Sequence, residues 1–260
     1  MKNITIILPI HKIDERYKEM FNNSVESISE FYDDIKLLIV CPPQIKEEIL
    51  SNIPKQYDLE IIVNNDNTDF CSQVNLGIEN CTTEWFTILE IDDEFNNVWF
   101  TSMNQYMKEN PDVDVFLPIV KDINVEGKFL SFTNESTWAY GFTAEQGILD
   151  NEVLMDYQNY QISGGLYKTQ TIKNNGMLKN NIKLTFGYEF LLRLTHNNVK
   201  IITVPKIGYV HVNFREDSLF WSYKNDDAIK LSENEVKFWV ETAKKEFFFK
   251  DKRDITYLDS

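Results

Sequence analysis

Glu90-Ile91-Asp92-Asp93 places three carboxylates within four residues, directly after an apolar run. Carboxylates gathered in this way supply hard oxygen ligands for Mg²⁺ or Mn²⁺, directly or through water. A metal held there would neutralise a departing diphosphate. Composition tempers the motif: Asp and Glu make up 41 of 260 residues, so an i, i+2 carboxylate pair arises by chance roughly six times. Its position behind a buried strand is what gives it weight. The chain has 3 His. His11 follows Pro9 in a turn where it can stack on a base. His211 stands at a strand end, open to metal or phosphate contact or to plain packing. His196 ends a helix and suits its dipole. Arg193 is expected to pair with a carboxylate on its own helix. Trp138 and Tyr140 can stack on a sugar face or serve as core. Gly164-Gly165 would let an acceptor approach the backbone, or form only a turn.

The elements that must position these residues are legible in the apolar pattern. Ile4 to Ile10, Lys36 to Val40, Leu59 to Val63 and Trp85 to Ile91 read as short buried strands. Between them, Tyr17 to Ile28, Ile45 to Ile53 and Phe70 to Ile78 carry apolar residues at helical spacing. Strands alternating with helices predict parallel strands covered on both faces, with ligands at their carboxyl ends. The second half is less regular. A helix is expected over Trp99 to Met107, a strand over Val113 to Val120 with Lys128 to Phe132 as its partner, and a helix over Tyr188 to Asn197. Strands are expected over Lys200 to Val204 and Ile207 to Val212, and a final amphipathic helix carries Val236, Trp239, Ala243 and Phe247. Thr133 to Gln161 has no clear period and is expected to be a long functional loop or small subdomain.

Composition bounds the function. At 43% hydrophobic and 26% charged residues the chain reads as globular. A net charge of -15 disfavours nucleic acid and anionic membrane surfaces as partners. The odd count of 3 Cys, without CxxC, argues against a disulfide framework or a zinc site. No apolar stretch is long enough to span a membrane, and the first ten residues lack a signal-peptide pattern. A reducing, cytoplasmic setting is the expectation.

Five segments together resemble the family 2 glycosyltransferases, which have the GT-A fold. Ile4-Thr5-Ile6-Ile7-Leu8-Pro9-Ile10-His11 looks like their first strand and polar turn. Asn75-Leu76-Gly77-Ile78 looks like their Asn-x-Gly-Ile segment, and Trp85 to Leu89 followed by Glu90-Ile91-Asp92-Asp93 is similar to their Leu-Asp-x-Asp-Asp ending. Gly164-Gly165-Leu166-Tyr167 and Tyr188 to Leu194 look like acceptor-side segments. The resemblance covers about residues 1 to 215.

It implies an α/β fold of the Rossmann-like GT-A type. A mostly parallel central sheet would have a nucleotide-sugar half over 1–93, an acceptor half over 94–215 and a helical extension over 216–260. It implies an inverting, metal-dependent transferase that uses a nucleotide sugar, with UDP as the expected nucleotide, Mn²⁺ or Mg²⁺ as cofactor and an unidentified acceptor. Pro9, His11, Asp66, Asn75 and Glu90 would face the donor, Asp92 and His211 the metal, and Trp138, Gly164 and Gly165 the acceptor. A carboxylate would deprotonate the acceptor hydroxyl. Three positions depart from the family. Cys41-Pro42-Pro43 stands where an Asp grips the base, leaving Asp66 or Asp69 to substitute. Glu90 replaces an Asp. Phe186-Gly187 replaces a Glu-Asp pair, so the base falls to Glu189, with Asp93 or Glu152 as alternatives, or is missing. A missing base would make the chain a non-catalytic carbohydrate- or protein-binding module. A nucleotidyltransferase would need a glycine-rich phosphate loop, and the turn at His11 to Arg16 has no glycine.

Overall fold

The computed structural model describes residues 3–66, 68–135, 137, 147–213, 215–216 and 218–248. The first half builds as its pattern predicts: β1 (Ile4–Pro9), α1 (Glu15–Glu26), β2 (Ile35–Cys41), α2 (Lys46–Asn52), β3 (Leu59–Val63), α3 (Phe70–Asn80) and β4 (Trp85–Ile88). Asp14 caps α1 by accepting from Arg16 N and Tyr17 N, each at 3.1 Å. Asp69 caps α3 through Ser72 N at 3.1 Å. β1 pairs in parallel with β2 and β4, and β2 with β3.

Beyond β4 the chain adds β5 (Glu94–Phe95), α4 (Val98–Glu109), β6 (Val115–Ile123), β7 (Phe129–Thr133), β8 (Ile148–Leu149), α5 (Asn151–Asp156), β9 (Leu166–Lys168), α6 (Thr169–Asn174), α7 (Phe186–His196), β10 (Ile201–Val212), α8 (Leu219–Asn225) and α9 (Glu233–Phe248). One ten-stranded sheet results, in the order β3-β2-β1-β4-β9-β6-β10-β5, with β7 on β6 and β8 on β10. β6 and β10 are parallel, while β5, β7, β8 and β9 pair antiparallel, so parallel pairing dominates only the amino-terminal half.

Several expected bounds shift for physical reasons. β4 ends at Ile88: Leu89 N makes a last bond across to Ile7 O at 3.0 Å, and Glu90 N then leaves the ladder for the Tyr209 phenol as the chain turns. The two strands expected over 200–212 are one strand, β10, whose register slips between Val204 and Ile207. Pro205 has no N–H to give, and the irregularity lets the strand continue past it. Strands β5, β8 and β9 have two or three residues each. No period can reveal elements that short, since they exist only by pairing with longer neighbours.

The sheet is covered on both faces. Ile6 and Leu8 of β1, and Ile10 just beyond it, share one core with Tyr17 and Phe21 of α1 and Trp99 and Met103 of α4. Ile7 joins the other core with Val74 and Ile78 of α3 and Leu191 and Leu194 of α7. α9 packs on α7, as its amphipathic pattern predicted, with Ala243 1% exposed. Among the described residues no helix is long and apolar enough to cross a membrane.

Helix α3 approaches β1 closely at Gly77, where an added Cβ would lie 2.6 Å from Ile7 Cγ2. Alanine is the better helix former by about 1 kcal/mol, yet Gly77→Ala should lower stability by about 1–3 kcal/mol through overpacking. Urea unfolding checks this; a midpoint equal to or above that of the wild type would contradict it.

Candidate active site

The acidic turn follows β4, where the parallel strands present their carboxyl ends. Ser24 of α1 gathers it from beneath: its Oγ lies 3.1, 2.9 and 2.5 Å from the carbonyl oxygens of Glu90, Ile91 and Asp93. Glu90 N donates to the buried phenol oxygen of Tyr209 on β10 at 3.0 Å. Gly164, at φ +79°, leaves room for the Tyr209 ring, since a Cβ there would lie 2.6 Å from Cδ2 and Cγ.

The three carboxylates face different partners. Glu90 Oε1 accepts from Ser163 Oγ at 2.7 Å, with Gln161 Nε2 at 3.5 Å. Asp93 is fully buried; its Oδ1 accepts from Val212 N at 2.9 Å, and its Oδ2 lies 3.0 Å from His211 Nδ1. Asp92 meets Arg215 Nε at 3.3 Å, and that guanidinium also lies 4.9 Å over the Tyr17 ring. Burial pushes the Glu90 carboxyl up to about 7, with Asp93 and Asp92 adding to the rise while His211 and Ser163 oppose it. Burial and Asp93 likewise push Asp92 up to about 6 against Arg215 and His211. For His211 burial alone would lower the imidazole, but Asp93, Glu90 and Asp92 together outweigh it and raise it to about 10.

These groups open into a cleft of about 380 Å³. Pro9, His11, Thr68, Phe70 and Gln73 form one wall, from β1 and the start of α3. Asp122, Thr133, Tyr160, Gln161, Thr185, Phe186 and Gly187 form another, and Arg215, Ser218, and Leu219, Phe220 and Tyr223 of α8 contribute a third. Asn134 ties the second wall together. Its amide donates to Pro118 O and Gln161 O at 3.0 and 2.9 Å and accepts from Gln161 N at 2.9 Å.

Of the residues singled out in the sequence, the cleft brings together Pro9, His11, Glu90, Asp92 and His211. Asp93 lies just behind them through His211. The metal-ligand geometry departs from expectation. Ligand atoms of Glu90, Asp93 and His211 all lie within 4.8 Å of one another, whereas Asp92 is outside that group. Two carboxylates and an imidazole suit Mn²⁺ or Mg²⁺ in donor chemistry, provided the imidazole gives up its proton.

Glu189 sits elsewhere. It is fully buried and ion-paired to Arg193 Nε at 2.9 Å and Lys179 Nζ at 3.0 Å. It is absent from the cleft walls. The same contact that fulfils the expectation for Arg193 thus corrects that for Glu189 as base. Arg193 in turn donates to the carbonyls of Asn175 and Met177, organising the turn that precedes the cleft-lining 183–187 segment. Glu152 is exposed in the first turn of α5, also off the cleft. Asn75 bonds Leu178 N and O, at 2.9 and 2.7 Å, as a staple between α3 and the 178 turn. Asp66 is exposed and Asp69 caps a helix, and neither is among the residues that line the cleft. Gly164 and Gly165 pack against Tyr209 and Tyr167 instead of lining it. Trp138 and Tyr140 lie outside the described residues. Sequence reasoning missed Arg215, Ser163, Gln161, Gln73 and Asp122; only Ser163, beside Gly164-Gly165, stood next to a visible motif.

Residues 5–164 match the family model described as Glycosyl transferase family 2. No protein of curated function matches the sequence. Among solved structures, S. aureus TarS 1-349 in complex with UDP-GlcNAc is similar at TM-score 0.66 and 16% identity, over 85% of this chain and 61% of that one. The chain thus spans about three fifths of that relative. The complex of TarS 1-349 with UDP gives TM-score 0.64 and 14% identity, over 92% and 78%. The mannosyltransferase PcManGT from Pyrobaculum calidifontis, in complex with GDP-Man and Mn²⁺, gives TM-score 0.56 and 11% identity, over 83% and 58%. At these identities the structural likeness establishes the GT-A fold.

Proposed function

The chain belongs to glycosyl transferase family 2, and from that premise we propose that its cleft binds a nucleoside-diphosphate sugar and transfers the sugar to an acceptor hydroxyl with inversion. UDP is the nucleotide we assign, from the family resemblance and the UDP complexes of TarS. The observation that carries the reading is the convergence of Glu90, Asp92, His211 and Arg215 in one cleft at the carboxyl ends of β1 and β4, with Asp93 behind His211.

The charges there define what the site needs. With all three carboxylates ionised, Arg215 and protonated His211 leave one negative charge in excess, which opposes an anionic diphosphate. A divalent cation held by Glu90, Asp93 and His211 would neutralise the leaving diphosphate. Arg215, 5% exposed and stacked on Tyr17, is placed to contact phosphate if Asp92 releases it. Ser163 and Gln161 hold Glu90 in one orientation. Pro9, His11, Phe70 and Gln73 offer the flat and polar surfaces that suit a base, and Gln73 is itself held by Ile10 O at 3.1 Å.

Isothermal titration of UDP, GDP and CDP, each with and without Mn²⁺, tests this on wild type and Glu90→Gln, which alters the proposed metal group. Binding of one diphosphate that requires the metal and weakens in Glu90→Gln is expected; UDP-GlcNAc, UDP-glucose and GDP-Man then serve as trial donors. If no diphosphate binds under any condition, the transferase reading fails. A second reading, a non-catalytic module of the same fold, is favoured by Phe186-Gly187 on the cleft wall, where the resemblance implies a Glu-Asp pair. Metal-dependent release of nucleotide from a donor would exclude it.

A further inference from the structure

An inverting displacement requires a proton acceptor for the attacking hydroxyl, on the face of the anomeric carbon away from the diphosphate. Among the described residues three carboxylates line the cleft: Glu90, Asp92 and Asp122. Glu90 and Asp92 belong to the acidic turn and are engaged there with Ser163 and Arg215. Asp122 comes from a different element and faces the cleft from a different wall. It lies near the carboxyl end of β6, whose register sets it directly beside His211 of β10. Adjacent positions in parallel strands present their side chains to the same face, so Asp122 is on the side of the sheet from which His211 enters the cleft.

Its surroundings fix the carboxylate in one orientation. The β6–β7 hairpin folds two hydroxyls onto one oxygen: Ser131 Oγ and Thr133 Oγ1 donate to Asp122 Oδ2 at 3.0 and 2.5 Å. Oδ1 takes no hydrogen bond, and the group has no ion pair, among the described residues. Asp122 is 3% exposed in a strand otherwise occupied here by Phe116, Leu117 and Val120. A carboxylate buried without a cation is costly for folding alone, and a cleft-lining carboxylate with one oxygen held and the other unengaged by the described residues is arranged as a proton acceptor must be.

The geometry points to Asp122 as the general base of the transfer. As the acceptor oxygen bonds to the anomeric carbon, its proton passes to Asp122. The bond from that carbon to the diphosphate oxygen breaks, and its electron pair leaves with the nucleotide. This rests on the transferase reading, with water or an acceptor alcohol as the nucleophile.

The test uses the full chain as wild type, Asp122→Asn and Asp122→Ala. UDP binding is followed by titration with Mn²⁺, and nucleotide release is followed from UDP-GlcNAc, UDP-glucose and GDP-Man in water, with and without sodium azide. Asp122→Asn retains the shape that Ser131 and Thr133 hold, so UDP affinity should stay within about twofold while release falls on the order of 10²-fold or more. Azide attacks without losing a proton, so it should restore release in Asp122→Ala as a glycosyl azide, with little effect on the wild type. Wild-type release rates in Asp122→Asn would overturn the assignment. So would loss of UDP affinity equal to the loss of release, or a wild type that binds UDP yet releases nothing faster than the variant. Failure of the wild type to bind any diphosphate defeats the donor site itself, and the titration reads that separately.

Discussion

Asp93→Ala is expected to remove donor turnover and much of the stability together, whereas Glu90→Gln is expected to remove turnover alone. Asp93 is fully buried, with Val212 N and His211 Nδ1 on its two oxygens. Truncating it strands a buried N–H and an imidazole that Asp93 helps to raise to about 10. Breaking such a pair from one side costs about 3–5 kcal/mol, and for a chain of this size that lowers Tm on the order of 10 °C. Glu90→Gln keeps the side-chain volume and an oxygen for Ser163, so its stability should stay within about 1 kcal/mol of wild type. It nevertheless removes a charge from the proposed metal group, and turnover should fall about 10²–10³-fold. Thermal unfolding beside nucleotide release from a trial donor separates the two variants. An Asp93→Ala protein as stable as wild type would show that the pair with His211 holds nothing together. A Glu90→Gln protein with unchanged turnover would remove Glu90 from the site.

Glu189→Ala carries the second large effect, and it falls on folding. The carboxylate has no exposed surface and accepts from Arg193 through both oxygens, at 2.9 and 3.1 Å, with Lys179 at 3.0 Å. Lys179 continues the chain of charges to Glu246 on α9 at 2.9 Å, linking the terminal helix to α7. Removing Glu189 leaves the Arg193 guanidinium buried without its counter-charge, a loss of about 3–5 kcal/mol. Donor binding by the fraction that remains folded should persist at low temperature. Denaturant unfolding alongside UDP titration measures both quantities. A variant as stable as wild type but devoid of turnover would restore Glu189 to the role of base.

The contrast between Glu189 and the acidic turn explains what a linear reading reaches. Ile4–Pro9, Ile35–Cys41 and Leu59–Val63 were legible because their apolar residues form short continuous runs and because Pro, Cys-Pro-Pro or a polar run stops each one, and α3 because its apolar residues recur at helix spacing. The parallel order follows from alternation with helices, since crossovers between parallel strands need that length of chain. The acidic turn was legible for the same reason: it is the first polar residue group after a buried strand, and in such a sheet that end is the ligand side. Which carboxylate does what was not legible. Asp92 and Asp93 are neighbours in sequence, but one meets Arg215 and the other meets His211, 118 residues away. Those pairings depend on how β10 lies against β6 and β5, a register set by the whole sheet. Glu189 looked available because it stood two residues from the expected position of a base. On a helix two residues turn the side chain by more than half a revolution, and this rotation puts it in the core beside Arg193. Asp122 was unremarkable in sequence, one acid near the end of a strand, until the β7 hairpin folded its hydroxyls onto it and β10 placed His211 alongside. The sequence by itself determined the order of strands and helices through β4, the cover on both faces of that half of the sheet and the edge at which the cleft opens, because those follow from local periodicity and chain length. The tertiary structure alone decided which charged groups meet, since an ion pair or hydrogen bond acts over a few ångströms between residues that the fold, and not the chain order, brings together.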